Sequence, residues 1–444
     1  MTDVINATEV HDVRVLQWAR DLLDRAGDPA AMQREVVAAV ERNARWRGEE
    51  CLNLLAPEAP MSPVVRELLS AEAGQRAAEG HIGPANRWFA GTQYIDEIEA
   101  LCVELLKRVF RARYADHRLV ASMIGNMTVY AALTQPGDVI MSVTQPFGGH
   151  SSNRQDGPAG VRGLRIHDVP MDQAELTVDL EAFADAARAL RPKLVSLGAS
   201  MTLFPFPVRE MHEIVSEWGG RIFFDGAHQL GLIGGGQFQD PLAEGASVLT
   251  GSAGKTFSGP QSGVIVWNDP ELTVPLTDAI FPTLAATHQV NRVAALAAAA
   301  AEAEAFGSEY MAQIVVNAQA LARALEAQGV PMLAAHKGYT RTHQVIADAR
   351  AFGGGEEAGF RLADANIIVN KNLIPSDRPE DWDRPGGLRI GTTEVTRWGM
   401  KEPEMALVAG LIADILLDRR SAEQVREEVV SLRSSFPHLQ YCFA

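Results

Sequence analysis

Gly251-Ser252-Ala253-Gly254-Lys255-Thr256-Phe257-Ser258-Gly259-Pro260-Gln261-Ser262-Gly263 sets a single lysine among small and polar residues. The apolar run Ala246-Ser247-Val248-Leu249-Thr250 precedes it, and Val264-Ile265-Val266-Trp267 follows. That pattern predicts a strand, a glycine-rich turn and a second strand. An amine carried on so uncrowded a backbone suits Schiff-base formation with an aldehyde. Gly254-Lys255-Thr256 also suggests a phosphate loop, but that spacing needs a glycine where Leu249 stands, and no helical pattern opens after Thr256. A lysine in a solvated turn is the third reading, and this stretch alone leaves it open.

Two further stretches narrow the chemistry. Gly220-Arg221-Ile222-Phe223-Phe224 reads as a buried strand ending in Asp225-Gly226-Ala227-His228. Polar residues at the carboxyl end of a strand in an open α/β sheet lie where ligands bind. An aspartate there can pair with the ring nitrogen of pyridoxal phosphate and keep the ring an electron sink, although a turn-capping Asp is the plainer alternative. Arg389, inside Gly386-Gly387-Leu388-Arg389-Ile390-Gly391-Thr392, is a charge within an apolar segment, unfavourable unless it is paired. Its guanidinium fork matches an α-carboxylate. Lysine for an aldehyde, aspartate for a ring and arginine for a carboxylate together describe an enzyme that handles amino acids with pyridoxal phosphate.

Several stretches, in order, resemble the serine hydroxymethyltransferase family. They are Glu79-Gly80 with Arg87-Trp88-Phe89-Ala90-Gly91, Gly148-Gly149-His150, Asp225-Gly226-Ala227-His228, Lys255-Thr256 with Gly259-Pro260, and Ala365-Asn366-Ile367-Ile368-Val369-Asn370-Lys371-Asn372. The resemblance implies an α/β chain of the aspartate-aminotransferase-like fold (fold type I), with a large, mainly parallel sheet and a smaller C-terminal α/β domain. It implies that Lys255 holds the cofactor, Asp225 faces the ring nitrogen, and His228 and Ser200 lie near the phenolic oxygen. Ser122, Met123 and Gly263 are expected at the cofactor, with the helix opening at Ser122 receiving the phosphate. Arg389 is expected to take the substrate carboxylate, with Phe89 and Asn372 also on the substrate side. Glu79 is the expected acid/base, with His150 second.

The chain also departs from the family pattern. The resemblance puts a ring-stacking histidine at Phe147, a serine at Pro57 and tyrosines at Ala77 and Phe89. The implied reaction makes or breaks the Cα–Cβ bond of a β-hydroxy amino acid, serine or a substituted serine, through a quinonoid carbanion. The alternatives are a folate-independent threonine-type aldolase or transaldolase, or another pyridoxal-phosphate reaction such as transamination. Tetrahydrofolate is a possible second substrate, no metal is expected, and a homodimer with shared active sites is implied.

Composition sets the outer limits. The chain has 444 residues, 47% hydrophobic and 22% charged, enough for more than one core. A net charge of −16 argues against nucleic acid or an anionic membrane as partner. Cys51, Cys102 and Cys442 have no C-x-x-C spacing, and the first residues lack a signal pattern, so a cytoplasmic location is expected.

Periodicity predicts two helices over 10–47, and Asp28-Pro29 separates them. Further helices are expected over 94–110, 122–133, 180–190, 208–218, 295–328, 403–417 and 422–432. Strands are expected at 139–143, 164–169, 194–197, 222–224, 344–347 and 367–369. Their alternation predicts a parallel sheet covered on both faces. Gly353-Gly354-Gly355 is expected to be a flexible loop. The expected division is an N-terminal helical arm over 1–56, a large cofactor domain over 57–328 and a small domain over 329–444.

Overall fold

The computed structural model of the protein describes residues 10–443. Its centre is a seven-stranded sheet. The order is Tyr114–Asp116, Gly263–Trp267, Val248–Ser252, Arg221–Asp225, Leu194–Leu197, Val139–Ser142, Arg165–Asp168. From Val248–Ser252 onward the strands are parallel, while Gly263–Trp267 runs antiparallel to both of its neighbours. Alternation within the strands explains why both faces are covered. Ile222 and Phe224 enter one apolar cluster with Val195, Leu197 and Leu249. Phe223 enters the cluster on the other face with Leu194, Val248 and Ile265.

A second core gathers around the antiparallel sheet Gln344–Asp348, Gly387–Gly391, Asn370–Asn372. The helix Val290–Ala327 joins the two cores. Val293, Leu296 and Ala299 pack into the first, and Leu321, Ala322 and Leu325 into the second. We propose these two cores as the large and small domains. Among the described residues no helix is long and apolar enough to cross a membrane.

Two expectations need correction. The arm does not remain helical to residue 56: after Val13–Ala26, Pro29–Arg45 and the π-helical turn Trp46–Glu50 the chain extends from Cys51, and Leu52–Asn53 pairs in parallel with Ile367–Ile368. Leu52 and Leu54 are buried in the second core, so apolar burial ties this segment to the C-terminal part of the chain. Gly353-Gly354-Gly355 is the start of the helix Gly354–Asp364 rather than a loop. Gly353 and Gly354 adopt φ of +89° and +88°, and a Cβ on Gly355 would lie 2.1 Å from the Gly387 carbonyl oxygen. Glycine is required there for tight packing against the strand.

Glu394 seals the junction between the extended segment and the small core. Its Oε1 accepts from Asn53 Nδ2 at 2.8 Å and from Trp398 Nε1 at 3.3 Å, both neutral donors. Burial pushes its carboxyl up from 4.5 to about 7, partly opposed by those two hydrogen bonds. The stability this raised value contributes is present below pH 4.5 and is lost as pH rises through about 7. Glu394→Gln keeps the accepting oxygen without the charge. It should stabilise the protein at pH 8 by ~1–3 kcal/mol and flatten the loss of stability between pH 4.5 and 7, as read by denaturant melts.

Candidate active site

The cavity at the carboxyl ends of the parallel strands is lined by Ser122, Met123, Asn126, His150, Ser152, Ala199, Ser200, Asp225, Ala227, His228 and Lys255. Asp225 ends the strand Arg221–Asp225, and Lys255 lies in the turn after Val248–Ser252. Ser200 and His150 follow Leu194–Leu197 and Val139–Ser142. Four neighbouring strands thus deliver side chains to one crevice, as the topology of an open sheet favours. Thr256 joins two of these turns: its hydroxyl donates to the His228 carbonyl at 2.9 Å and accepts from the Gly231 N–H at 3.0 Å. Gly148 joins another two, its carbonyl accepting from the Ser200 N–H at 2.7 Å.

Asp225 is buried and held by neutral donors: Asn126 Nδ2 at 2.7 Å, Asn153 Nδ2 at 3.1 Å and the Ala227 N–H at 3.2 Å. Thr250 orients Asn126 by donating to its Oδ1 at 2.8 Å, and Tyr130 orients Asn153 at 2.7 Å. Arg389, in the central strand of the small sheet, is also buried. It donates to Asn370 Oδ1 at 3.1 Å and to the Ser200 carbonyl, both uncharged. Arg389 does not itself line the cavity; its guanidinium stands behind two residues that do, bonded to the Ser200 carbonyl and with Nη1 3.5 Å from His228 Nε2. Burial lowers Arg389 from 12.5 to about 10. Burial also lowers Lys255 from 10.5 to about 8; Asp225 opposes that shift and Arg389 adds to it.

The helix Ser122–Leu133 opens on the cavity without a side-chain cap, so its first N–H groups are available to an anion. The donor set therefore fits pyridoxal phosphate. There is an amine for the aldehyde, a carboxylate lacking a cationic partner for a pyridinium nitrogen, and a helix N-terminus for the phosphate.

The remaining expected residues sit elsewhere. Phe147, expected at the cofactor, does not line the cavity: it packs against the large core, and His150, three residues on, lines the cavity together with His228. Between them the chain turns on Gly148 and Gly149, and a Cβ on Gly149 would lie 1.9 Å from the Val143 carbonyl oxygen. Gly263 does not line the cavity either; it packs beneath the turn leading to Ser122, where a Cβ would meet the Ala121 oxygen at 2.6 Å.

Asn372 lies in an adjoining cleft of about 510 Å³ that shares His150 and Ser200 with the cavity and also contains Trp382. Glu79 and Phe89 stand outside both spaces. Glu79 Oε1 accepts from Thr287 Oγ1 at 2.5 Å, and Phe89 is 46% exposed. Their loop is anchored by Arg87, which donates to the Ala78 carbonyl at 3.0 Å, Asp96 at 2.8 Å and Glu99 at 2.6 Å. Glu99 in turn meets His288 Nε2 at 2.6 Å. Sequence reasoning missed Asn126, Asn153 and Gln344 as site residues. Asn126 carried the clearest signal, a polar residue one turn after Ser122 on the same helix.

The sequence model of one family, described as "Serine hydroxymethyltransferase", matches residues 30–412. The chain belongs to the serine hydroxymethyltransferase family. Serine hydroxymethyltransferase of Methanopyrus kandleri is 43% identical over 92% of this chain and 94% of that protein. That of Methanocella arvoryzae is 43% identical over 88% and 92%. The crystal structure of L-threonine transaldolase from Pseudomonas fluorescens superposes with a TM-score of 0.84 at 26% identity, covering 97% of this chain and 96% of that one. The protein is a pyridoxal-phosphate-dependent transferase of fold type I. Its chemistry is cleavage or formation of the Cα–Cβ bond of β-hydroxy amino acids.

The electrostatics of this family site predict how its lysine titrates. Modification of the cofactor-free protein by an acylating reagent should show Lys255 becoming reactive around pH 8, against 10.5 for an ordinary lysine. Asp225→Asn should move the midpoint down, and Arg389→Ala should move it up, because the first removes a stabilising anion and the second a repelling cation. Peptide-resolved mass spectrometry across pH measures all three.

Proposed function

We propose that the protein transfers a hydroxymethyl group between a serine-type amino acid and an acceptor seated in the cleft beside the cavity. The observation that carries this reading is a buried carboxylate, Asp225, and a buried guanidinium, Arg389, each hydrogen-bonded only to neutral partners, together with the half-buried Lys255 amine in the same cavity as Asp225. Lys255 holds the cofactor aldehyde, Asp225 the ring nitrogen, and the Ser122–Met123 helix start the phosphate. Bound there, pyridoxal phosphate withdraws electrons from Cα. Arg389 fixes the substrate carboxylate, which sets the orientation of the bond that breaks. Glu79 is the first candidate to take the hydroxyl proton and His150, a cavity-lining residue, the second. Tetrahydrofolate is the proposed acceptor in the cleft containing Asn372 and Trp382. The close superposition on a threonine transaldolase favours a second reading, in which that cleft takes an aldehyde and no folate is used.

Glu79 is assigned as acid/base from across a two-fold interface. The helices Val13–Ala26 and Pro29–Arg45 bury no side chain in the single chain. Val15, Trp18, Val36, Val37 and Val40 are exposed on them, and Trp88, Phe89 and Tyr94 are exposed beside Glu79. So much exposed apolar surface on these helices and around Glu79 supports a homodimer, with shared active sites as the reading. Buried free Cys51 and Cys102 accord with a reducing, cytoplasmic setting.

Cleavage of serine, α-methylserine and threonine-type amino acids, with and without tetrahydrofolate, tests the acceptor. Folate-dependent cleavage of a serine-type substrate is expected; folate-independent turnover of threonine with an aldehyde acceptor would install the second reading. Arg389→Ala should lower kcat/KM for the amino acid by about 100- to 1,000-fold, as expected when a buried carboxylate loses its partner. Mixing Glu79→Gln with Lys255→Ala protein under exchanging conditions should restore about a quarter of wild-type activity, from heterodimers with one intact site. No recovery after demonstrated exchange would place Glu79 outside the shared site.

A further inference from the structure

His228 lines the cavity, but the residue that decides what it presents there lies behind it. Gln344 is buried in the strand Gln344–Asp348, and two backbone groups fix its amide. The Thr202 N–H donates to Oε1 at 3.1 Å, and Nε2 donates to the Ser200 carbonyl at 2.9 Å. A backbone N–H only donates and a carbonyl only accepts, so the amide cannot be turned over. Nε2 then has one hydrogen left, and two imidazole nitrogens lie near it: His228 Nδ1 at 3.0 Å and His343 Nε2 at 3.3 Å. His343 Nε2 also faces the Ala56 carbonyl at 3.2 Å, which only a protonated nitrogen can satisfy. The free hydrogen of Gln344 therefore goes to His228 Nδ1.

Nδ1 of His228 is then an acceptor, and the ring proton sits on Nε2. A second ring proton is opposed from every side. Arg389 and Lys255 are cations nearby, the His343 ring stacks on His228 at 5.8 Å between centroids, and His150 faces it across the cavity. Arg389 Nη1 spends one hydrogen on the Ser200 carbonyl and brings its other to 3.5 Å from His228 Nε2. A neutral ring can accept at only one nitrogen, and the 3.0 Å donation from Gln344 to Nδ1 is the shorter contact, so it decides the tautomer.

We propose that Gln344 is a positioning residue that locks His228 in the Nε2–H tautomer, so that the cavity offers a neutral hydrogen-bond donor to an oxygen of the bound cofactor. The proposal rests on the reading of this cavity as the pyridoxal phosphate site. It assigns Gln344 no contact with substrate or cofactor. Its effect passes wholly through His228.

Histidine-selective ¹⁵N NMR of the holoenzyme, with the His228 signal identified by its loss in His228→Asn, reads the tautomer directly. The expected result is a protonated Nε2 and a bare Nδ1 that stay so as the pH is lowered from 8 to about 5.5, below the ordinary histidine range. Gln344→Glu puts an acceptor opposite Nδ1 and should move a proton onto it. That change should lower kcat by about tenfold or more while KM for the amino acid changes much less. In a His228→Asn background, Gln344→Glu should have no further effect on kcat, whereas a merely structural role would give the same loss in both backgrounds. Gln344→Met, of similar volume and without donor or acceptor, should release the tautomer to a mixture. A protonated Nδ1 in the wild type would overturn the proposal even if neither variant folds, as would an unshifted His228 signal in Gln344→Glu. Absence of cofactor absorbance in the wild type would instead overturn the reading of the cavity and leave the tautomer measurement standing.

Discussion

The carboxylate of Asp225 is buried against two side-chain amides and a backbone N–H, with no cation bonded to it. Such an anion is costly to bury unless its charge is answered. Lys255 and Arg389 present the complementary imbalance: Lys255 lines the same cavity, Arg389 stands directly behind its Ser200 and His228, and both are depressed by burial. The chain keeps these charges apart with neutral amides and carbonyls instead of letting them pair with one another. What they leave unsatisfied is the outline of a ligand with a cationic ring nitrogen, a reactive carbonyl and a carboxylate nearby. The rest of the structure holds that imbalance in place.

The sheet does so by geometry. Parallel strands end together, so the turns after Val139–Ser142, Leu194–Leu197, Arg221–Asp225 and Val248–Ser252 meet at one rim. Thr256 and Gly148 bond those turns to one another, which limits how far any one of them can drift. Arg389 comes from a separate sheet, set across the cavity by the helix Val290–Ala327 that enters both cores. Gln344 crosses the same seam: it stands beside Arg389's strand and bonds to Ser200 and His228 of the larger unit. The substrate carboxylate and the cofactor are thus positioned by different cores, and their alignment depends on that seam.

Much of this was legible in the sequence. The helices Ser122–Leu133 and Leu180–Leu190 follow the periodic pattern to the residue. Lys255 and Asp225 stand out because each occupies a glycine-rich turn at the end of an apolar strand, where a charge has few structural duties. Gln344, Asn126 and Asn153 did not stand out, because a polar residue inside a regular element announces nothing until its partner is known. That partner is 116 residues away for Gln344 and 99 for Asn126. Phe147 was misplaced because the Gly148-Gly149 turn sends it into the core and brings His150 to the cavity, a reversal that residue spacing does not show. The triple glycine at 353–355 reads as a loop by composition, and only the approach of the Gly387 strand makes it a helix start. Glu79 and Phe89 are legible through the family resemblance alone, since one chain does not bring them to the cavity.

The central claim is that Lys255 is the residue to which pyridoxal phosphate binds covalently. Borohydride reduction of the protein loaded with pyridoxal phosphate, followed by digestion and mass spectrometry, reports on that bond directly. The account predicts a single reduced pyridoxyl adduct on the peptide carrying Lys255, and its loss in Lys255→Ala. An adduct on another lysine, or undiminished labelling of Lys255→Ala, would contradict it.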